Sequence, residues 1–198
     1  MSEPVLHLAS SSPRRRELLS TLGIEFSYGG VDVDESALAG ELPSDMVLRL
    51  ATMKARAAFE SGGYRIPVLG ADTTVILGER IFGKPASRGD ALEMLACLSG
   101  RTHQVLTGVA LLVEGKSDTA LSRTDVEFRD IRPDEAEAYW QSGEPAGKAG
   151  AYAVQGIGGI FVRAISGSYT GVVGLPVFET AELLQRAGIA AQGMPVHG

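Results

Sequence analysis

The chain has 198 residues, 44% of them hydrophobic and 21% charged, which is the composition of an ordinary globular protein able to bury a sizeable core. Eighteen Lys and Arg stand against 24 Asp and Glu, for a formal net charge of −6. That balance excludes the broadly basic surface of a general nucleic-acid binder and confines any polyanion site to a local patch. Apolar runs such as Val109 to Val113 fall far short of the roughly 20 residues that cross a bilayer, so neither membrane nor nucleic acid is expected as a partner.

The first residues, MSEPVLHLASSSPRRR, place polar and acidic groups ahead of a short apolar run and the arginines after it. A secretory signal has the opposite order, and a cytoplasmic location is expected. Val5 to Ala9 reads as a buried strand that hands over, through Ser10-Ser11-Ser12-Pro13, to a short helix carrying Leu18, Leu19 and Leu22 and closed by Gly23. A second strand is predicted over Phe26 to Val33. The clearest helix runs from Pro43 to about Ser61, with Gly62-Gly63 behind it. Val68 to Leu77 is the next strand, Gly78-Glu79 a turn, and Arg80 to Phe82 the returning strand. A helix follows near Asp90 to Leu98.

Gln104 to Glu114 and Thr119 to Phe128 read as long strands around the polar turn Gly115-Lys116-Ser117-Asp118, a hairpin that makes the sheet mixed. Pro133 to Trp140 opens another helix, Gly156 to Ile165 is glycine-rich and then strand-like, and Val177 to Ala187 is the last helix. Residues 190–198 have no periodicity and are expected to form a mobile tail. The alternation gives an α/β class, in one domain over residues 1–189 or in two small lobes. The lone Cys97, among apolar neighbours, is expected as packing, and His7, His103 and His197 show no metal-ligand spacing.

Five segments could carry chemistry. In Ser12-Pro13-Arg14-Arg15-Arg16 the serine and proline suit a helix start, but three cations there oppose the helix dipole; a bound phosphate would reverse the sign. A solvated basic turn is the alternative. Lys54 falls on the apolar stripe of its helix, four residues after Leu50, so it either snorkels to the edge or meets a negative partner. Arg49 and Arg56 fall on the opposite face. Asp72 interrupts the apolar strand Val68–Ile76 and needs a cation, a metal or hydrogen bonds to stay charged. A two-residue turn at Gly78-Glu79 would set position 72 against 85 and 73 against 84, bringing Gly83-Lys84-Pro85 back beside Asp72. The run Asp32-Val33-Asp34-Glu35 offers the oxygen donors that Mg²⁺ takes together with substrate phosphates, although such a run is also a common solvated loop. Finally, Gly147 to Gly156 is a glycine-rich loop that lacks the dinucleotide-binding spacing.

Taken together, LASSSPRRRELL, VDVDES, RLATMKA, GADTTV, FGKP, LSGRTHQVLTGV, GKAGAYAVQG and SGSYTGVVGLP resemble the Maf family of nucleotide pyrophosphatases through nearly the whole chain. The resemblance implies an elongated, twisted mixed sheet flanked by helices, of the type shared with ITPase-like enzymes, with a substrate cleft between two lobes. It implies site positions at Ser10, Arg14, Arg15, Glu35, Lys54, Asp72, Lys84 and Gln155. GADTTV with AGAYAVQG looks like the arm of the family that hydrolyses dTTP and UTP, with Thr73 and Arg14 also at positions where the arms diverge.

The expected chemistry is release of pyrophosphate from a nucleoside triphosphate. Arg14, Arg15, Lys54 and Lys84 would hold the phosphates, Asp72 would act as base, and a divalent cation, Mg²⁺ or Mn²⁺, would be held in part by Glu35. Gln155 would read the imide edge of uracil or thymine with its paired donor and acceptor. A nucleotide-binding regulator of cell division and a pyrophosphatase for purine or other non-canonical nucleotides are the alternatives, and a homodimer is left open.

Overall fold

The structure is a computed structural model that describes residues 3–191. Its elements are β1 (Leu6–Leu8), α1 (Pro13–Ser20), β2 (Phe26–Tyr28), α2 (Pro43–Gly62), β3 (Val68–Leu77), β4 (Arg80–Phe82), α3 (Arg88–Leu98), β5 (Thr102–Val113), β6 (Lys116–Phe128), α4 (Pro133–Gln141), β7 (Val162–Ser166), α5 (Tyr169–Val173) and α6 (Val177–Arg186). The strands form a seven-stranded sheet in the order β2-β1-β3-β5-β6-β7, with β4 paired to β3 off that path. β1 runs parallel to β2 and β3, while β3 with β4 and β6 with β7 are antiparallel, so the sheet is mixed, as the hairpin pattern predicts. Among the described residues no helix is long and apolar enough to cross a membrane.

The β3–β4 register is the one a two-residue turn dictates: Val75 faces Phe82, Ile76 faces Ile81 and Leu77 faces Arg80, with Gly78 at φ 60°. That ladder ends at Phe82, so Gly83-Lys84-Pro85 leaves the strand instead of prolonging it. Elsewhere the boundaries move. The second strand stops at Tyr28 and not at Val33, because its partner β1 ends at Leu8, the residue opposite Tyr28, and Gly29-Gly30 follows. The long hairpin turns on Glu114 and Gly115, at φ 48° and 81°, and the polar residues 116–118 already belong to β6. Two successive left-handed residues match the twist of a hairpin better than a four-residue loop does. Ile157–Phe161 is a 3₁₀ turn ahead of β7, and α5, built from Val and Gly with weak helix propensity, had no sequence signal.

The chain divides into two compact units, the first comprising Met1–Asp72, Thr107–Ser122 and Gly174–Gly198 and the second Thr73–Leu106 and Arg123–Val173. In the first unit Leu6, Leu8, Leu69, Leu111, Leu175 and Leu183 form one core, and Ala9, Ala55, Ala58, Val68 and Leu112 a smaller one. His7 stacks on Tyr64 at 3.9 Å between ring centres, and its Nδ1 lies 2.9 Å from the Ser27 hydroxyl. In the second unit Val75, Leu95, Leu98, Phe128, Tyr139, Tyr152 and Phe161 make an aromatic-rich core. Cys97 is only half-buried at the margin of that core, where the Arg80 guanidinium donates to its sulfur at 3.2 Å. His103 is buried there, its Nε2 2.8 Å from the Tyr152 hydroxyl. His197 and the expected tail from residue 192 onward lie outside the described residues.

Candidate active site

The charged centre of the first unit follows from how α2 lies on the sheet. Pro43 starts the helix at its first turn, Asp45 sits there with the favourable sign for the dipole, and Gly63 ends it in the left-handed conformation at φ 60°. Its buried face runs Met46, Val47, Leu50, Ala51, Lys54, Ala55, Ala58, a helical stripe with one lysine in it. Two glycines on the strands let that face approach. A Cβ on Gly70 would stand 2.1 Å from the Ala51 carbonyl oxygen, and one on Gly108 2.6 Å from that of Val47. The helix backbone therefore rests on the sheet at these points, which only glycine permits. Asp72 is two residues beyond Gly70 and Lys54 is three beyond Ala51, so both periodicities carry the next pair onto the same interface.

The pair is direct. Lys54 Nζ donates to Asp72 Oδ1 at 2.6 Å and lies 2.6 Å from Glu35 Oε1. Lys54 and Asp72 are each 8% exposed, whereas the Glu35 side chain is 44% exposed and reaches in from a loop. Desolvating such a group is costly, and a buried ion pair is rarely the most stable filling for its volume. Stability alone therefore does not account for an ammonium shared by two carboxylates.

The α1 arginines diverge. Arg15 donates through Nε to the Gly174 carbonyl at 2.7 Å, which fixes its fork. Burial lowers its pKa from the ordinary value; the charges of Asp72 and Glu35 oppose that shift and Arg14 adds to it. Arg15 thus feels the same two carboxylates as Lys54. Arg16 instead stacks over Tyr28, 4.3 Å from the ring centre. Ser10 is buried, and its hydroxyl accepts the Ser12 N–H at 3.2 Å, while Ser12, at the N-cap position, makes no side-chain cap. Arg15 therefore lies within electrostatic reach of Arg14, Asp72 and Glu35, and Lys54 bonds the two carboxylates directly.

Sequence reasoning passed over the groups that hold this cluster together. Helical spacing sets Arg49 on the face opposite the apolar stripe, yet its guanidinium donates to both Glu41 oxygens, at 2.5 and 2.7 Å, and to the Ser36 carbonyl at 3.0 Å. It ties the strandless loop that carries Glu35 to α2, and pulls Glu41 down to a pKa of about 2 through the ion-paired hydrogen bond. Of the acidic run, Asp34 turns back to the Ser36 N–H at 2.9 Å, and Glu35 alone meets Lys54. The Gly174 carbonyl, 159 positions from Arg15, had no local signal at all.

Thr73, Lys84 and Gln155 belong to the second unit. Thr73 is half-buried on β3, and Lys84 and Gln155 are exposed. Gly150 N–H donates to the Gly83 carbonyl at 3.1 Å, which joins the segment before Lys84 to the glycine-rich loop. Among the described residues no group of three or more His, Cys, Asp or Glu is gathered as a metal cage. The donor set still suits a hard cation of the Mg²⁺ kind, which is bound by one or two carboxylates together with substrate phosphates. Glu35, half-exposed beside Asp72, has that chemistry.

Comparison with known proteins finds similarity over most of the chain. The family model described as "Maf-like protein" matches residues 5–187. A dTTP/UTP pyrophosphatase of Pseudoalteromonas translucida (strain TAC 125) is 52% identical over 180 residues, covering 91% of this chain and 95% of that protein. One from Hahella chejuensis (strain KCTC 2396) is 53% identical over 188 residues, 93% of this chain and 92% of that protein. One from Alkalilimnicola ehrlichii (strain ATCC BAA-1101 / DSM 17681 / MLHE-1) is 48% identical over 194 residues and covers 96% of each.

Proposed function

The chain belongs to the Maf family, and from that premise we propose that it is a pyrophosphatase that hydrolyses dTTP and UTP to the monophosphate and pyrophosphate in the cytoplasm. The observation that carries the reading is Lys54, buried on the apolar face of α2 and held by Asp72 and Glu35 at 2.6 Å each.

In the reaction water attacks the α-phosphorus, the bond from that phosphorus to the bridging oxygen breaks, and pyrophosphate leaves. Asp72 accepts the proton of the attacking water. Lys54 and Arg15, already aimed by Asp72 and by the Gly174 carbonyl, meet the phosphate oxygens and offset the charge that grows on the leaving group. Arg14 adds to that positive field and Ser10 lines the start of α1. A divalent cation held in part by Glu35 would supply further charge neutralisation at the phosphates. For the second unit, we assign Lys84 to phosphate and Gln155 and Thr73 to the base, with Lys84 and Gln155 each tested below by its own substitution.

A panel of nucleoside triphosphates, assayed with Mg²⁺ and with Mn²⁺ for pyrophosphate and orthophosphate separately, tests the reading. Pyrophosphate with equimolar monophosphate, fastest from dTTP and UTP, is the expected result. Orthophosphate release, or tight binding without turnover, would replace the reading by a phosphatase or a nucleotide sensor.

A further inference from the structure

The glycine-rich stretch that carries Gln155 has no strand or long helix of its own. Two short 3₁₀ turns, Ala149–Ala151 and Ile157–Phe161, flank it, and Gln155 and Gly156 are exposed between them. The geometry of such a loop must come from outside it.

It comes from the end of α4. Past Gln141 the chain turns through Gly143 at φ 77° and delivers Glu144 against the loop. Glu144 Oε1 accepts the Gly158 N–H at 2.9 Å and the Tyr139 hydroxyl at 2.7 Å, and Oε2 accepts the Ile157 N–H at 2.9 Å. The Tyr139 hydroxyl in turn accepts the Ala153 N–H at 3.1 Å. These four bonds grip the backbone on both sides of Gln155, two residues before it and two and three residues after it. The glycines make room for the grip: a Cβ on Gly156 would stand 2.1 Å from Glu144 Oε2, and one on Gly158 2.4 Å from the Tyr139 hydroxyl. Both backbone amides donate to one carboxylate, the arrangement that holds a carboxylate ionised, and the pKa of Glu144 is lowered although its burial works the other way. The Tyr139 phenol is pushed up by burial and by the Glu144 charge beside it, so it stays a donor.

We propose that Glu144 and Tyr139 are positioning residues for base discrimination, clamping residues 153–158 from both sides so that the Gln155 amide is held at a fixed angle to the base. The proposal rests on the reading of Gln155 as the base reader. A hydrogen-bonding reader discriminates only if its donor and acceptor are fixed in advance, because a loose amide can rotate to suit a wrong base.

The test compares the kcat/KM ratio for dTTP over CTP in four single variants and one double. Gln155→Ala should collapse the ratio. Tyr139→Phe keeps the ring against Phe161, 5.2 Å between centres, and removes only the hydroxyl that links Glu144 to Ala153. Glu144→Gln keeps the shape but sets an NH₂ against a backbone N–H. Gly156→Ala pushes the carboxylate away. Each of these three should lower the ratio by roughly 10- to 100-fold, with pyrophosphate still the product, and Tyr139→Phe should cost no further selectivity once Gln155 is Ala. Uniform losses on all triphosphates with the ratio intact, or a lower melting temperature alone, would overturn the clamp while leaving Gln155 as reader. A ratio unchanged in Gln155→Ala would overturn the base-reading itself, and the clamp with it. Should Glu144→Gln not fold, Tyr139→Phe and Gly156→Ala decide the matter.

Discussion

The two units solve the burial of polar groups in opposite ways. In the first, Lys54 and Asp72 form an ion pair between a helix and a strand that glycines bring into backbone contact. In the second, the polar groups within the core are neutral: the His103 ring against the Tyr152 hydroxyl, and the Tyr139 hydroxyl against a loop amide. The charge there, on Glu144, is spread over three donors. Charge on rigid elements suits the phosphate chemistry proposed for Lys54 and Asp72, because the field must be in place before charge develops. Directional bonds between neutral groups suit the base reading proposed for Gln155.

Substitutions can break that contrast. The largest expected effect is in the first unit, where Asp72→Asn should lower kcat by roughly 10²–10⁴ while nucleotide still binds, as measured by turnover and by equilibrium titration. Near-normal turnover would remove Asp72 as the base. Lys54→Ala should cost both activity and stability, since it leaves Asp72 buried without its ammonium; a melting temperature lowered in step with a loss of up to about 3–5 kcal/mol is expected, together with a fall in kcat/KM. Loss of stability with kcat/KM preserved would make the pair purely structural.

In the second unit the contrast shows in pH. Burial depresses the His103 pKa to about 4 from its ordinary 6.5. The unfolded chain therefore binds the proton first, and stability drains away as pH falls from about 6.5 to about 4, by up to about 3 kcal/mol in all. Burial also lowers the His7 pKa, so the measurement is the difference between the wild type and His103→Gln, whose melting temperature should vary less over that window. Parallel curves for the two proteins would show that the ring titrates as in water. The smallest effect is expected at the exposed Lys84: Lys84→Ala should lower kcat/KM by about tenfold, the scale of one charged hydrogen bond, with no change in melting temperature. A shift in melting temperature with unchanged kinetics would reassign it to structure.

Much of this was legible in the residues. The bounds of β3 and β4 and the register between them followed from a run of ten residues, a Gly-containing turn and three more, because a two-residue hairpin leaves no freedom. Lys54 and Asp72 stood out because each breaks its own local pattern. The misplaced elements were those whose ends depend on a partner. β2 stops where β1 stops, and α5 has no propensity of its own.

The sequence by itself determined every strand and every helix except α5, and which residues break their local pattern, since periodicity and local propensity act within a few residues and are written in order along the chain. Only the tertiary structure decided who answers whom. Arg15 finds a carbonyl 159 residues away, and Arg49, read from helical spacing as a surface cation, holds the loop that brings Glu35 to Lys54. Glu144 leaves the end of a helix to grip a loop that a motif of glycines describes but cannot shape. A hydrogen bond or ion pair is satisfied by whichever group the fold delivers within about 3 Å, and no spacing rule along the chain encodes that delivery.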